Sequence, residues 1–295
     1  MLSVNHLTKI YKQHKAVQNI SFDLRHQQCT ALLGPNGAGK TTTLQMLSGL
    51  LTPTSGRIQF LGRESINRSE IGYLPQHPAF FSWMTALEYM LFAARLSGLK
   101  RREALKKSRN ALRYAGLERD EGRKIGGFSG GMKQRLGLAQ ALVHEPKLLI
   151  LDEPVAALDP AGRREVLDMM KELKKKMTIL FSTHVLHDAE EVCDQIIMLK
   201  EGAVKWSGPL HQLKYQHHTP SCILAAEESL EGWLEHLPYV SKVAYEKPSK
   251  AEIFLTEQSD HRRLLAECLN RHVSILRFEQ KTQSLEDIYM KVMGL

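Results

Sequence analysis

The 295-residue sequence predicts a large α/β domain followed by a small α+β domain. Three observations carry this. Short apolar runs end in glycine-rich or charged residues, as buried parallel strands do. Helical periodicities separate those runs. From residue 221 onward, strand-like and helix-like segments follow the ferredoxin-like order β-α-β-β-α-β, with one extra C-terminal helix.

Taken along the chain, "CTALL" at 29–33 is an apolar run closing on a glycine-rich turn, and "TTTLQMLSGL" then returns Leu44, Leu47 and Leu51 at helical spacing. From Thr85 to Lys124 the pattern is helical alone, "ALEYMLFAARLSGL" and "REALKKSRNALRYAGL" joined by a glycine and basic turn, so a helical insertion is expected over about 82–127. "KLLILDEP" at 147–154 and "TILFSTH" at 178–184 read as two further buried strands. Between them Asp159 is expected to cap a helix with Pro160 at its first position and Val166, Met169, Met170 and Leu173 on its apolar face. "QIIMLKEGAVKWSG" reads as a hairpin turning at Glu201-Gly202, and the polar, Pro-bounded stretch 209–220 carries the domain boundary, giving domains of 1–215 and 216–295. Beyond it the sequence predicts strand 221–226, helix 229–237, strands 239–246 and 251–256, helix 259–271 capped by Ser259, strand 273–279 and helix 284–293.

Composition narrows the class. With 43% hydrophobic and 24% charged residues the chain has the make-up of a soluble globular protein. No stretch approaches the ~18–20 uninterrupted apolar residues of a membrane span, and "MLSVNHLTKIYKQHK" lacks the apolar core of a signal peptide, so a cytosolic location is expected. Cys29, Cys193, Cys222 and Cys268 are far apart with no C-x-x-C pair, which argues for reduced packing residues rather than a zinc or redox site. Among 13 histidines none forms H-x-x-x-H on a clear helix, and His217-His218 reads as solvated linker. The net charge of +8 is uneven: residues 1–210 hold 30 basic and 20 acidic residues, and 95–124 alone hold 11 and 4. That stretch is either a solvated helical face or a surface held near anionic lipid or nucleic acid.

Chemistry is concentrated in five motifs. "GPNGAGKT", comprising Gly34, Pro35, Asn36, Gly37, Ala38, Gly39, Lys40 and Thr41, matches G-x-x-x-x-G-K-[ST] with a strand before it and a helix after it. Its glycines allow backbone N–H groups to curl around phosphates, Lys40 reaches the β/γ oxygens, Thr41 offers a hydroxyl to Mg²⁺, and Thr42 falls near the α-phosphate. In "LLILDEP", Asp152 can hold the Mg²⁺ shell and Glu153 can orient and deprotonate an attacking water. His184, closing "STH", can hydrogen-bond a γ-phosphate, and Gln76 in "GYLPQHPAFF" can reach Mg²⁺ or the water. "FSGGMKQR" at 128–135 places Ser129 as an N-cap and leaves N–H groups at Gly130 and Gly131 bare, a helix start suited to an anion.

With the phosphate loop, "FSGGMKQR", "LLILDEP", "ALDP" and "STH" in this order, residues 1 to about 215 resemble the nucleotide-binding subunit of ATP-binding cassette (ABC) transporters. The resemblance implies a P-loop NTPase core with a mixed sheet, an N-terminal antiparallel β subdomain, and the cofactors ATP and Mg²⁺. It makes Tyr11 the aromatic residue that stacks on adenine, Gln76 the loop glutamine that senses the γ-phosphate, Glu153 the catalytic base, Asp159 the link between two sites and His184 the switch histidine. It also assigns Ser129, Gly130, Gly131 and Met132 to the ATP of a second subunit, so a homodimer or paralogue heterodimer is expected. The commonest signature is L-S-G-G-Q. Phe128 and Met132 depart from it, and Met132 cannot make the polar contact of the final glutamine.

Lacking a span, the chain is expected at the cytoplasmic membrane face with a separate permease, docked near Gln76 and the aromatic "HPAFFSW". Its ending "SLEDIYMKVMG" and ferredoxin-like tail resemble exporter subunits for drugs, antibiotic peptides and lipid-like substrates; an importer is the alternative. Soluble ABC ATPases are the other. Translation factors usually hold two cassettes, and DNA-repair ATPases insert a long coiled coil where only about 95 residues separate Gly34 from Ser129 here. No nucleic-acid partner is expected.

Overall fold

The computed structural model describes residues 1–64, 66–156, 158–217, 220–257, 259–281 and 284–294. Ala157 of "ALDP" and His218 of the linker lie outside them. The chain divides into two compact units, Met1–Leu210 and His211–Leu295, the break falling five residues before the expected 215.

The first unit begins with a three-stranded antiparallel sheet, β1 (Leu2–Tyr11), β2 (His14–Leu24) and β4 (Ser55–Phe60), ordered β2-β1-β4. Between β2 and β4 lie β3 (Cys29–Leu33) and α1 (Lys40–Leu47). After β5 (Ile71–Leu74) the helices α2 (Ala86–Leu96), α3 (Arg101–Tyr114) and α4 (Gly130–Leu142) follow, then β6 (Leu148–Asp152), α5 (Pro160–Leu173), β7 (Thr178–Thr183), α6 (Leu186–Val192), β8 (Gln195–Lys200) and β9 (Ala203–Pro209). The central sheet runs β5-β6-β7-β3-β8-β9, parallel except for β9. Every residue of β3, β6 and β7 is buried, which is why these strands read as mainly apolar runs rather than alternating ones. Their C-terminal ends share one sheet edge, where α/β folds gather ligand-binding groups.

The helical insertion is pinned at its base. Thr85 and Glu88 form a capping box that starts α2: Thr85 Oγ1 accepts the Glu88 N–H at 3.2 Å, and Glu88 Oε2 accepts the Thr85 N–H at 2.8 Å. Thr85 also bridges Lys124 in antiparallel fashion, closing the segment that holds α2 and α3. Met90, Leu112, Ile125 and Leu136 pack with their neighbours into a separate apolar core that fastens α2 and α3 to α4. The β8–β9 hairpin turns at Glu201 (φ 53°) and Gly202 (φ 76°), the pair of left-handed residues that a two-residue turn requires.

In the second unit, α7 (Leu210–Gln216) begins at the boundary and precedes β10 (Ser221–Ala226), β11 (Val240–Lys247), β12 (Lys250–Leu255), α8 (Asp260–Asn270), β13 (Ile275–Lys281) and α9 (Leu285–Met293). The antiparallel sheet order β11-β12-β10-β13 is the ferredoxin-like one. Three expectations need correction. The stretch 209–220 contains α7, a short helix whose single buried apolar residue, Leu213, left too faint a pattern to read. Helix 229–237 reduces to one 3-10 turn at Leu234–His236, because Gly232 sits at φ 83° and breaks the run. Ser259 has helical dihedrals and makes no cap bond; Asp260 Oδ2 instead accepts the Glu257 N–H at 2.9 Å.

All four cysteines are free and buried. Among the described residues no helix is long and apolar enough to cross a membrane.

Candidate functional site

The phosphate loop is shaped by what surrounds it. Gly39 (φ 97°) tolerates no side chain, since a Cβ there would lie 2.4 Å from the Ala16 carbonyl oxygen, and one on Gly34 would lie 2.4 Å from that of Leu199. Behind the loop, the Gly202 N–H donates to Ala38 O at 3.1 Å, and the Gln18 N–H donates to Gly202 O at 2.7 Å. The loop is thus held from two sides, by β2 and by the β8–β9 turn. α1 starts with Gly39 at its N-cap, no side-chain cap and no acid in its first turn, which leaves its partial positive charge uncompensated. Lys40 Nζ donates to Gly34 O at 2.7 Å and Pro35 O at 3.2 Å. Burial pulls the Lys40 ammonium below its ordinary range, a shift that Glu153 and Asp152 oppose.

One strand away, β6 and β7 pair in parallel with Asp152 opposite Ser182. Ser182 Oγ donates to Asp152 Oδ1 at 2.6 Å and accepts the Glu153 N–H at 2.9 Å, so a single hydroxyl fixes both acids. Glu153 sits at φ 51°, a left-handed conformation that costs a non-glycine residue roughly 1 kcal/mol or more. The strained turn carries its carboxylate to His184, whose Nδ1 lies 2.8 Å from Glu153 Oε2. His184 is itself largely exposed while Glu153 is buried.

An open cleft of about 410 Å³ gathers Tyr11, residues 36–42, Gln76 and Glu153, and adds His14 and Ala16, which the sequence did not single out. Tyr11 is half exposed, with Lys9 Nζ 5.3 Å from its ring centroid. Asp152 lies behind the cleft, and His184 joins through Glu153. Ser182 was missed because its role depends on strand register; its place two residues before His184 in "FSTH" is the only sequence signal for it. Ser129, Gly130, Gly131, Met132 and Asp159 lie elsewhere: none lines this cleft. Ser129 Oγ accepts the Met132 N–H at 3.2 Å, capping α4 as expected and satisfying one of its first N–H groups. Asp159 Oδ1 accepts the Gly162 N–H at 3.1 Å and starts α5, with Pro160 at its first turn.

In the basic stretch 95–124, Lys107, Arg109, Arg113 and Arg123 are each paired with a carboxylate.

The sequence matches the family model "ABC transporter" over residues 17–156 and the model "ATP-binding protein DrrA1-3-like, C-terminal domain" over 208–293. It is 58% identical over 292 residues, covering 99% of each chain, to a Bacillus subtilis (strain 168) protein named uncharacterized ABC transporter ATP-binding protein YxlF. The chain belongs to the ABC transporter ATP-binding proteins. Another relative of this ABC protein is the bacitracin transport ATP-binding protein BcrA of Bacillus licheniformis, 32% identical over 306 residues, with 100% of this chain and 97% of that one covered. Among solved structures, the ATP-binding cassette MJ0796, a dimer in a post-hydrolysis state bound to ADP and Pi, superposes with a TM-score of 0.66 at 26% identity, covering 71% of this chain and 99% of that one.

A divalent cation fits the residues present. Asp152 Oδ2 is buried and has no hydrogen-bond partner, an arrangement that a bound cation resolves. Among the described residues no three His, Cys, Asp or Glu side chains are grouped as a metal cage. Mg²⁺ would suit such a site, because it takes one or two protein carboxylates and completes its shell from hydroxyls, waters and nucleotide phosphates.

Proposed function

We propose that this ABC protein is the ATP-hydrolysing subunit of an exporter, and that two copies, or this chain and a paralogue, close around two ATP molecules beneath a separate permease. Lys40 and the α1 N-terminus take the β/γ phosphates, Tyr11 stacks on adenine, and Thr41, Gln76 and Asp152 hold Mg²⁺. When bound there, Mg²⁺ would supply charge neutralisation to the nucleotide phosphates. Glu153 takes the proton of the attacking water, its carboxylate aimed by His184 Nδ1. The opposite edge of the same imidazole, Nε2, meets the γ-phosphate. A second chain supplies Ser129, Gly130 and Gly131 to that phosphate, and Asp159 couples the two sites.

The observation that carries this reading is the buried Ser182 hydroxyl: it fixes Asp152 and Glu153 together, and Glu153 lines one cleft with Lys40. The dimer is supported by the dimeric MJ0796 cassette. Permease docking is supported by a cluster of exposed aromatics beside the Gln76 segment: Trp83 and Phe92 both pack on Phe81, with centroids 5.8 and 5.9 Å away. Likeness to a protein named for bacitracin transport supports a transport role on a compound of the antibiotic class, and export and peripheral attachment at the cytoplasmic membrane face are part of the same proposal.

The test is Glu153→Gln, which retains the site's shape without the base. ATP binding should persist, turnover should fall at least ~100-fold, and an ATP-dependent dimer should accumulate on size exclusion. Turnover at the wild-type rate removes Glu153 from this role.

A further inference from the structure

The ten residues from Arg123 to Met132 carry contacts that the shared site does not account for. Arg123 Nη2 donates to Gly127 O at 2.5 Å, its Nη1 lies 3.9 Å from Met132 Sδ, and its guanidinium carbon is 5.8 Å from the Phe128 ring centroid. Nη1 also lies 3.4 Å from Asp120 Oδ1. These contacts straddle the Ser129-Gly130-Gly131 turn, with Gly127 and Phe128 on one side and Met132 on the other. Phe128 and Met132, the two departures from the commonest signature, meet at one guanidinium.

The same residue ties the turn to a distant stretch of chain. Arg123 O accepts the Ala86 N–H at 3.2 Å, and the N–H groups of Ile125 and Gly126 donate to Met84 O and Ser82 O at 2.9 Å each. Segment 82–86, which carries the exposed Trp83, is therefore zipped to 123–126.

We propose that Arg123 is a positioning residue that braces the Ser129–Gly131 turn against segment 82–86, in the conformation that receives ATP from a second chain; this rests on the shared-site reading above. Arginine suits the task because one planar fork can donate to a carbonyl, lie near an aromatic face and reach a polarisable sulfur at once. Gly130 and Gly131 open α4 behind the Ser129 cap but supply no side-chain packing of their own, so what packs this first turn against the rest of the domain comes from neighbours such as Arg123. Met132 gives up the glutamine's polar contact and supplies the sulfur that Arg123 meets.

The experiment uses the full chain carrying Glu153→Gln, in which ATP-bound dimers accumulate. Two quantities are measured: the ATP concentration giving half-maximal dimer by light scattering, and the affinity of the dilute monomer for a fluorescent ATP analogue. Arg123→Gln should raise the first about fivefold while leaving the second within about twofold. Arg123→Lys, which keeps the charge and loses the fork, should behave like the glutamine variant. An unchanged half-maximal ATP concentration in Arg123→Gln overturns the proposal, and full rescue by lysine overturns it too, by assigning the effect to charge. Should the glutamine variant lose monomer binding through misfolding, the lysine variant decides alone, and a value within about twofold of the parent overturns the bracing role. Ser129→Arg is run in parallel. If it also leaves ATP-driven dimerisation intact, the shared-site reading itself fails; if it abolishes dimerisation while Arg123→Gln does nothing, only the bracing role fails.

Discussion

Replacing Ser182 with alanine removes one oxygen and two buried hydrogen bonds. One partner is the Glu153 N–H, at 2.9 Å; the other is Asp152 Oδ1, at 2.6 Å, on a carboxylate whose second oxygen already has no partner. A buried donor left unsatisfied costs about 1–3 kcal/mol, and a hydrogen bond to a charged acceptor is worth about 1.5–3 kcal/mol. Partial relaxation and water entry bring the expected loss to about 3 kcal/mol. For a compact unit of this size that corresponds to a melting point lower by about 6–12 °C. Catalysis should suffer separately, because Glu153 holds a left-handed backbone conformation that its N–H bond to Ser182 helps to fix. We expect kcat to fall about 10- to 100-fold, with nucleotide affinity near wild type. Thermal unfolding followed by circular dichroism and a coupled ATPase assay read the two effects. A melting point within about 1 °C of wild type together with unchanged turnover would refute the assignment of Ser182 as the common anchor of both acids.

Arg163 Nη2 lies 2.7 Å from Asp188 Oδ1, and Asp188 is almost wholly buried; Arg163→Met should therefore destabilise the protein by about 3–5 kcal/mol in urea titration, whereas adding Asp188→Leu should recover most of the loss. A double variant no more stable than the single one would show that packing, not the stranded carboxylate, sets the cost. Gly39→Ala drives a methyl into the Ala16 carbonyl at a positive φ and should weaken fluorescent ATP-analogue binding at least ~10-fold; near-normal affinity would mean that the loop is not clamped as described. Trp83→Ala changes an exposed ring, so ATPase activity of the isolated chain should stay within about twofold while co-purification with the proposed permease drops, and intact co-purification would move the proposed docking surface elsewhere.

What the sequence disclosed depended on how local the signal was. The strands 29–33, 148–152 and 178–183 announced themselves because burial on both faces selects mainly apolar residues, and the glycine and lysine spacing of 34–41 has few uses other than phosphate. The position of Asp152 and Glu153 at a strand end could be read for the same reason. Ser182 could not: its part is set by the parallel register that brings residue 152 opposite 182, and no local pattern encodes register between strands 26 residues apart. Arg163 and Asp188 were hidden likewise, each an unremarked charge on its own helix. The second unit misled where the pattern was weakest. Residues 229–237 have helical composition, but Gly232 and the hydrogen bonds of Glu228 to Ser274, 46 residues away, hold an irregular path.

The place of β3 in the sheet has a consequence for how the protein is made. β3 is flanked by β7 and β8, so a ribosome that has released residues 29–33 must synthesise about 145 more before the first partner strand even begins. At roughly 5–20 residues per second that is an interval of about 7–30 s. During it a strand that is wholly buried in the finished fold has no sheet to join, while β1, β2 and β4 and the pinned helical insertion can form from local contacts. A nascent chain halted near residue 170 would carry all of "GPNGAGKT" and still lack the framework that shapes it. ATP binding is therefore expected late in synthesis, once the β8–β9 turn has emerged to hold Ala38, and the interval before it is when this chain most needs a chaperone.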